Sequence, residues 1–113
     1  MAGFRALDLG LELIRGLRQP VASIRRRSGR LALQIEAVAS SIVLNLGEGS
    51  RRIGKDRLHH YRIAAGSADE VRCALLVAEA WGYVDANHIA GDLELLDGLL
   101  AMLWSLGKGA RRE

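Results

Sequence analysis

One stretch of the chain follows a helical repeat of three and four residues without a break, and this repeat limits the folds open to it. The repeated positions are Leu31, Ile35, Val38, Ile42, Asn45 and Gly49. Residues spaced in this way lie on one face of an α-helix and can pack against a core along its length. The pattern predicts a long helix over residues 29–50, with Asn45 as a polar residue in its apolar seam.

Three other segments follow the same repeat. The further predicted helices span residues 4–19, 55–82 and 86–107. The first is expected to end at Pro20, whose ring clashes with a continuing helix, so residues 21–28 are expected to form an arginine-rich connection. Short joints make consecutive long helices antiparallel neighbours. The 113 residues suit one domain, and we predict an all-α, up-down antiparallel four-helix bundle over residues 1–113.

Composition excludes several other classes of protein. Aromatic residues make up 4% of the chain and there is one proline, which argues against a sandwich or barrel of many short strands. The longest uncharged run, residues 37–47, has 11 residues, fewer than the roughly 20 that cross a bilayer. Asp8 and Glu12 interrupt the N-terminal stretch, which therefore lacks the apolar run of a signal peptide. Cys73 is the only cysteine, so no internal disulfide can form, which is typical of a reducing compartment such as the cytoplasm. We therefore expect a cytoplasmic protein, and because no run is long enough to span a bilayer we expect no membrane partner.

The fourth predicted helix carries more apolar surface than one core needs. Beside its core row it has a second row, formed by Leu95, Leu99, Met102 and Leu106. The two rows cover an arc of roughly 200°, whereas a helix that faces one core needs roughly 100°. Apolar patches of this size mark interfaces, so the second row is predicted to mediate self-association. A tight bundle with a nearly central fourth helix is the alternative.

Positive charge is concentrated in the first half of the chain. Residues 1–62 hold 12 basic and 5 acidic residues, a net charge of +7, whereas residues 63–113 hold 4 and 8, a net charge of −4. The basic residues cluster at two joints: Arg25, Arg26, Arg27 and Arg30 at the first, and Arg51, Arg52, Lys55 and Arg57 at the second. Guanidinium groups bind phosphate oxygens bidentately, so these eight residues are predicted to bind RNA or DNA.

A solvated surface accounts for the same charges and is the alternative. The two joints are expected at opposite ends of one helix, so that they form no single patch within a subunit. No aromatic residue is interleaved with the basic residues, and base stacking is therefore not expected.

Polar residues at or beside the seams of the second and third helices form a further group: Asn45, Glu48, Ser67 and Glu70. A buried polar side chain costs free energy unless it is hydrogen-bonded, and its best-attested use is to set the register between helices. The group is predicted to be a structural cluster that joins the two helices. A carboxylate pair that acts on a phosphodiester with a metal ion is the alternative.

Motifs for catalysis and cofactors are incomplete. Residues 49–55 have the glycine and lysine spacing of a phosphate-binding loop, but a helix precedes them and Asp56 follows where serine or threonine is required. His59 and His60 point about 100° apart on a helix and cannot chelate one ion. Cys73 is expected to be a buried structural residue. We expect no catalytic residue, no metal site and no cofactor, in a protein that is not an enzyme.

A family resemblance is carried by residues from Gln34 onward. They are Gln34-Ile35, Ser41-Ile42, Asn45, Glu48-Gly49-Ser50, Arg52, Ile63-Ala64, Gly66-Ser67, Glu70 and Gly82-Tyr83. Over roughly residues 6–107 the chain resembles the 23S rRNA-intervening sequence proteins, four-helix bundles first noticed as products of intervening sequences in bacterial large-subunit ribosomal RNA genes. The chain departs from that pattern at Glu36, Val43, Gly47 and Leu58.

The resemblance implies a bundle that assembles as a homopentameric ring and has a poorly defined molecular role. Similar proteins include accessory proteins of diversity-generating retroelements, which bind nucleic acid and a reverse transcriptase through basic surfaces. We therefore expect a non-enzymatic, self-associating helical bundle that binds structured RNA or DNA through its arginine-rich joints. A protein-protein scaffold without a nucleic-acid role is the alternative.

Overall fold

The computed structural model describes the backbone of residues 2–112 and the side chains of residues 5–107. Within these residues lie four helices: α1 (Ala2–Arg27), α2 (Gly29–Ser50), α3 (Gly54–Ala80) and α4 (Ala86–Arg112). Each helix packs against the next, and α1 also packs against α4, which closes a bundle 45 Å long. The four-helix, all-α fold predicted from the apolar repeat is confirmed.

α1 does not end at Pro20, which corrects the prediction for the first helix. It continues to Arg27, so the expected connection over residues 21–28 is almost wholly helical. An interior proline costs a helix about 3 kcal/mol, because it removes a hydrogen bond and crowds the preceding turn. The continued helix buries Val21 and Ile24, and burying two such side chains is worth about 3–6 kcal/mol. Tertiary packing therefore outweighs the local penalty of the proline.

The other three helices differ from the prediction only at their ends. α2 covers the predicted residues 29–50, and α3 begins one residue earlier and ends two residues earlier than predicted. The backbone of α4 begins at the predicted residue and continues to Arg112.

The core runs along the bundle axis and takes apolar side chains from all four helices. Its largest fully buried side chains are Leu13, Ile24, Ile35, Ile42, Leu46, Val71, Leu75, Ile89, Leu96, Leu99 and Leu103. Alanines fill the narrower spaces between these residues, chiefly on α3.

The second apolar row of α4 is largely covered within one chain, which corrects the prediction that the whole row is surplus to the core. Leu99 is fully buried in the core of a single chain. Leu95, Met102 and Leu106 are partly buried and pack against the same core. Because α4 has neighbours on two sides, α1 and α3, a wide apolar arc is covered within one chain. The structure supports the alternative of a tightly packed fourth helix.

α2 and α3 approach each other closely at Gly49. A Cβ atom at this position would lie 2.8 Å from Cε1 of Tyr61 and 3.1 Å from Cβ of His60. Tyr61 is itself buried, so its ring has little room to move away. The lack of a side chain at Gly49 therefore allows the Tyr61 ring to pack across the last turn of α2.

Gly49→Ala is expected to destabilise the bundle, whereas Gly47→Ala in the same helix is expected to stabilise it. Overpacking a well-packed site costs about 1–3 kcal/mol, and replacing a helical glycine by alanine gains up to about 1 kcal/mol. Only the gain applies at Gly47, where a Cβ would meet no described tertiary neighbour within 4 Å. Urea unfolding of both variants measures the difference. Equal free energies of unfolding would contradict the close approach at Gly49.

Candidate functional site

Four arginines surround the junction between α1 and α2, and together they are the α1–α2 cluster: Arg25, Arg26, Arg27 and Arg30. Ser28 alone separates the two helices, and its Oγ caps α2 by accepting a hydrogen bond of 3.2 Å from the Leu31 N–H. The chain reverses direction over this one residue. Arginines from the end of one helix and the start of the next are therefore held at the same end of the bundle.

Members of the α1–α2 cluster have different neighbours. Arg25 forms an ion pair with Glu36 of α2, and both side chains are about half exposed. Arg26 and His88 line a small cavity of about 170 Å³ between α1 and α4. Arg30 is exposed in the first turn of α2. Glu36 offsets the charge of Arg25 alone, and Arg26, Arg27 and Arg30 keep the cluster positive.

A second group lies at the other end of α2 and is the α2–α3 cluster: Arg51, Arg52, Lys55 and Arg57. Arg52 Nη2 donates to Glu48 Oε2 at 3.3 Å, one turn earlier in the chain. The Nε of Arg57 is buried without a hydrogen-bond partner in the part of the chain that the structure describes. The 22 residues of α2 separate the two clusters by about 33 Å. As expected, they form no single patch within one chain.

Two aromatic side chains from the turn between α3 and α4 accompany the α1–α2 cluster. The guanidinium carbon of Arg27 lies 5.5 Å from the centre of the Tyr83 ring. Tyr83 stacks in turn on Trp81, with ring centres 6.4 Å apart and an angle of 16° between the planes. In the sequence no aromatic residue is interleaved with the basic residues, but the fold brings two aromatic side chains to the α1–α2 cluster. The long separation in sequence concealed a contact that the fold creates.

Part of the predicted polar cluster forms a hydrogen-bonded network between α2 and α3. His60 Nδ1 donates to Asn45 Oδ1 at 3.0 Å, which joins the two helices directly. Asn45 Nδ2 donates to the backbone oxygen of Ser41 at 2.9 Å and to its Oγ at 3.2 Å. Ser67 Oγ of α3 donates to Ser41 Oγ at 3.1 Å. All four side chains are half-buried, and each has a partner in this network.

The two carboxylates of the predicted cluster lie elsewhere. Glu70 accepts a hydrogen bond of 3.2 Å from Gln34 Nε2 on the exposed side of the α2–α3 contact. Among the described residues, Glu48 accepts a hydrogen bond from Arg52 of its own end of α2 and takes no part in the hydrogen bonds that join α2 to α3. Glu70 lies beside Gln34, and Gln34 and Glu48 are about 21 Å apart along α2. Glu48 and Glu70 are therefore too far apart to fit the alternative of a carboxylate pair that shares one metal ion.

Three members of the inter-helix contacts were missing from the predicted cluster. Gln34 and Ser41 carry the family resemblance but lie off the apolar seam, and that resemblance is the signal that could have found them. For His60 the sequence shows only its position next to His59, from which the two rings cannot chelate one ion. No spacing rule pairs it with Asn45, because the pairing depends on the register of two separate helices.

Asp92 is a charged residue in the core that the sequence pattern did not single out. It is 8% exposed, and its carboxylate lies against Gly16 of α1. Burial raises the pKa of Asp92 above its ordinary value. Folding therefore favours the neutral acid of Asp92 over its carboxylate. The share of the free energy of unfolding that depends on Asp92 is full below the unfolded pKa and is lost as the pH rises through the folded pKa.

Other candidate chemical groups are isolated. Cys73 is exposed on α3, which corrects the expectation that it is buried. The rings of His59 and His60 meet edge to face at 5.6 Å. Among the described side chains, no group of three histidine, cysteine or carboxylate residues lies close enough to hold a metal ion.

Large apolar side chains that the bundle leaves uncovered occur on α2. Leu33 and Leu44 are each 68% exposed. By length and composition α2 is long and apolar enough to cross a membrane, but core helices of soluble proteins meet the same criterion. Only 28% of the apolar stretch of α2 is buried within the bundle. α2 therefore offers an apolar face on which another molecule can pack.

Comparison with known proteins gives one family and one solved structure. The sequence profile of the 23S rRNA-intervening sequence protein family matches residues 5–105. A crystal structure from Bacteroides thetaiotaomicron, described as a protein with unknown function from the S23 ribosomal protein family, superposes with a TM-score of 0.86. It is 19% identical in sequence, over 96% of this chain and 99% of that chain, and shows the likeness of fold. No curated protein sequence matches the chain significantly.

Asn45→Ala is expected to lower the free energy of unfolding by about 1–3 kcal/mol, because it leaves the half-buried His60 Nδ1 without an acceptor. Glu48→Ala is the matched control, since it removes only an exposed ion pair and is expected to cost less than about 1 kcal/mol. Chemical denaturation measures both variants. Equal costs would show that the inter-helix hydrogen bonds add nothing to stability.

Proposed function

The chain belongs to the 23S rRNA-intervening sequence protein family, and we propose that it is a non-enzymatic, self-associating helical bundle that binds structured RNA or DNA through its arginine-rich ends. The observation that carries this proposal is the α1–α2 cluster. It holds four guanidinium groups around a one-residue junction between two helices.

The chemistry of the α1–α2 cluster suits a phosphate backbone. Among the described residues, no carboxylate lies within 4 Å of Arg26, Arg27 or Arg30. The guanidinium group is a planar fork of donors that matches two phosphate oxygens at once. Several members of one cluster can therefore contact successive phosphates, which is the main source of affinity for nucleic acid.

A purely structural role explains only some of these arginines. The three in the last turn of α1 favour the negative end of its macrodipole, a contribution of about 0.3–1 kcal/mol each. Arg30 lies instead in the first turn of α2, where the positive end of the macrodipole disfavours a cation. A cation held against this local preference supports a role in binding an external anion.

Self-association rests on the exposed face of α2. Leu33, Ala37 and Leu44 lie along one side of this helix, away from the core. Covering one such leucine by a second copy is worth about 1–2 kcal/mol. Charge supports contact between copies, because residues 1–62 are net positive and residues 63–113 net negative. Contacts between unlike faces generate rings when they close, and five copies is the number that the family resemblance implies.

Assembly multiplies the basic surface. The two clusters of one chain lie at opposite ends of α2, but a ring repeats each cluster once per copy. The repeated α2–α3 cluster then adds phosphate contacts along a second edge. We expect this assembly in the cytoplasm, without a membrane partner. A reverse transcriptase is the protein partner that the resemblance to retroelement accessory proteins implies.

Binding of a fluorescent RNA hairpin tests the nucleic-acid function with three triple variants that each remove three positive charges. They replace Arg26, Arg27 and Arg30, or Arg51, Arg52 and Lys55, or the control residues Arg15, Arg18 and Arg62, by glutamine. If three phosphates are contacted, the affinity of the unmodified chain falls about 40-fold between about 50 and about 200 mM salt. The α1–α2 variant should lose most of this dependence, and the control should keep it.

Three results distinguish the alternatives. No binding by the unmodified chain at about 50 mM salt contradicts the nucleic-acid function. Equal losses in the three variants contradict the α1–α2 cluster as the site, because net charge alone would then set the affinity. If sedimentation without RNA shows that the cluster variants dissociate while the control stays assembled, the arginines hold copies together and the scaffold alternative is favoured.

A further inference from the structure

The turn between α3 and α4 holds an exposed tryptophan in a fixed position. Gly82 has a φ of +78°, which favours glycine, and ends α3 in a Schellman motif. In this motif the Gly82 N–H donates to the Glu79 carbonyl and the Tyr83 N–H to the Ala78 carbonyl, both at 2.9 Å. Trp81 directly precedes this glycine, so the capped end of α3 fixes its backbone.

The same turn is anchored to α1 and to the core. Ser23 Oγ of α1 donates to the Tyr83 carbonyl at 3.0 Å. Val84, the next residue, is buried. The half-buried ring of Tyr83 contacts both Arg27 and Trp81. Backbone and side-chain contacts together therefore hold an aromatic pair beside the α1–α2 cluster.

Trp81 remains 68% exposed in spite of this support. Tryptophan carries one of the largest apolar areas of any side chain, and leaving it in water gives up the stabilisation that burial would supply. A fixed and open aromatic face beside arginines is the arrangement on which proteins stack unpaired bases.

We propose that Trp81 stacks an unpaired nucleobase while the α1–α2 cluster binds the adjoining phosphates. The inference rests on the proposed nucleic-acid function and narrows its ligand class to a duplex that carries unpaired nucleotides in a loop, bulge or tail. The cluster alone binds a phosphate backbone of any kind, whereas Trp81 adds a preference for bases that are free to leave the helical stack.

The charges around the turn orient such a ligand. Glu79 and Asp85 flank the turn in sequence and repel phosphate. Phosphates therefore belong on the arginine side, and the uncharged base belongs on the indole. Arg27 joins the two parts, because it lies against the ring on which Trp81 stacks.

Tryptophan fluorescence tests the stacking site. The probes are a blunt RNA duplex and the same duplex with a short unpaired tail. Trp104→Phe leaves Trp81 as the only tryptophan, and the tailed duplex is expected to quench its emission more than the blunt duplex does. Trp81→Phe leaves Trp104, which is 57% exposed on α4, as the matched control, and its emission should not respond.

Affinity gives a second readout. Trp81→Ala is expected to weaken binding of the tailed duplex about 5- to 150-fold, the range for one lost base stack, and to leave binding of the blunt duplex unchanged. Circular dichroism checks that this variant keeps its helices, as expected for an exposed residue at a helix end.

The outcomes separate this inference from the proposed function. Equal affinity of the unmodified chain for both duplexes, or a tail preference that survives in Trp81→Ala, overturns the stacking site and leaves the proposed function standing. No binding to either duplex at low salt overturns both. Emission from Trp81 that changes with protein concentration alone means that a second copy covers the indole, which also overturns the stacking site.

Discussion

The register of α3 against α2 is the constraint on which the rest of the structure depends. The hydrogen bond between His60 and Asn45 and the packing of Tyr61 against Gly49 occur at the same level of the bundle. A shift of one helical turn would break both, leaving a half-buried amide without its partner and placing a side chain against the tyrosine ring. Polar and steric terms therefore select one register where an apolar seam alone would tolerate several.

That register decides what meets at the far end of the bundle. From the contact at Asn45 and His60, α2 runs back about 24 Å to its start, and α3 runs forward about 32 Å to Trp81. The turn after α3 consequently lies beside the α1–α2 junction, where Tyr83 reaches Arg27. A polar contact at one level thus positions an aromatic and basic surface several turns away. This is the link between the stability of the bundle and its proposed function.

The sequence predicted the elements that depend on local pattern and missed contacts that depend on the assembled fold. The unbroken repeat from Leu31 to Gly49 was enough to locate α2, and Asn45 stood out as polar within it. The end of α1 at Pro20 is wrongly predicted, because the free-energy cost of an interior proline is local to the helix. The burial of Val21 and Ile24 that outweighs this cost depends on the packing of the whole bundle. The width of the apolar arc of α4 follows from the sequence, but how much of this arc α1 and α3 cover depends on how the helices pack. Leu99 therefore belongs to the core of one chain.

The candidate site divides in the same way. Clusters of arginine are visible in the sequence because their members are neighbours along it. The pairing of Arg27 with Tyr83, and the hydrogen bond from His60 to Asn45, connect residues that only the register of separate helices brings together. No periodicity or spacing rule contains that information.

Amide hydrogen exchange, with and without a tailed RNA duplex at low salt, tests most directly whether one end of the bundle is the binding surface. The account predicts that slowed exchange is concentrated at residues 25–30 and 81–85, the two segments that the register brings together. Slowed exchange confined to the outward face of α2, or no change anywhere on addition of RNA, would contradict it.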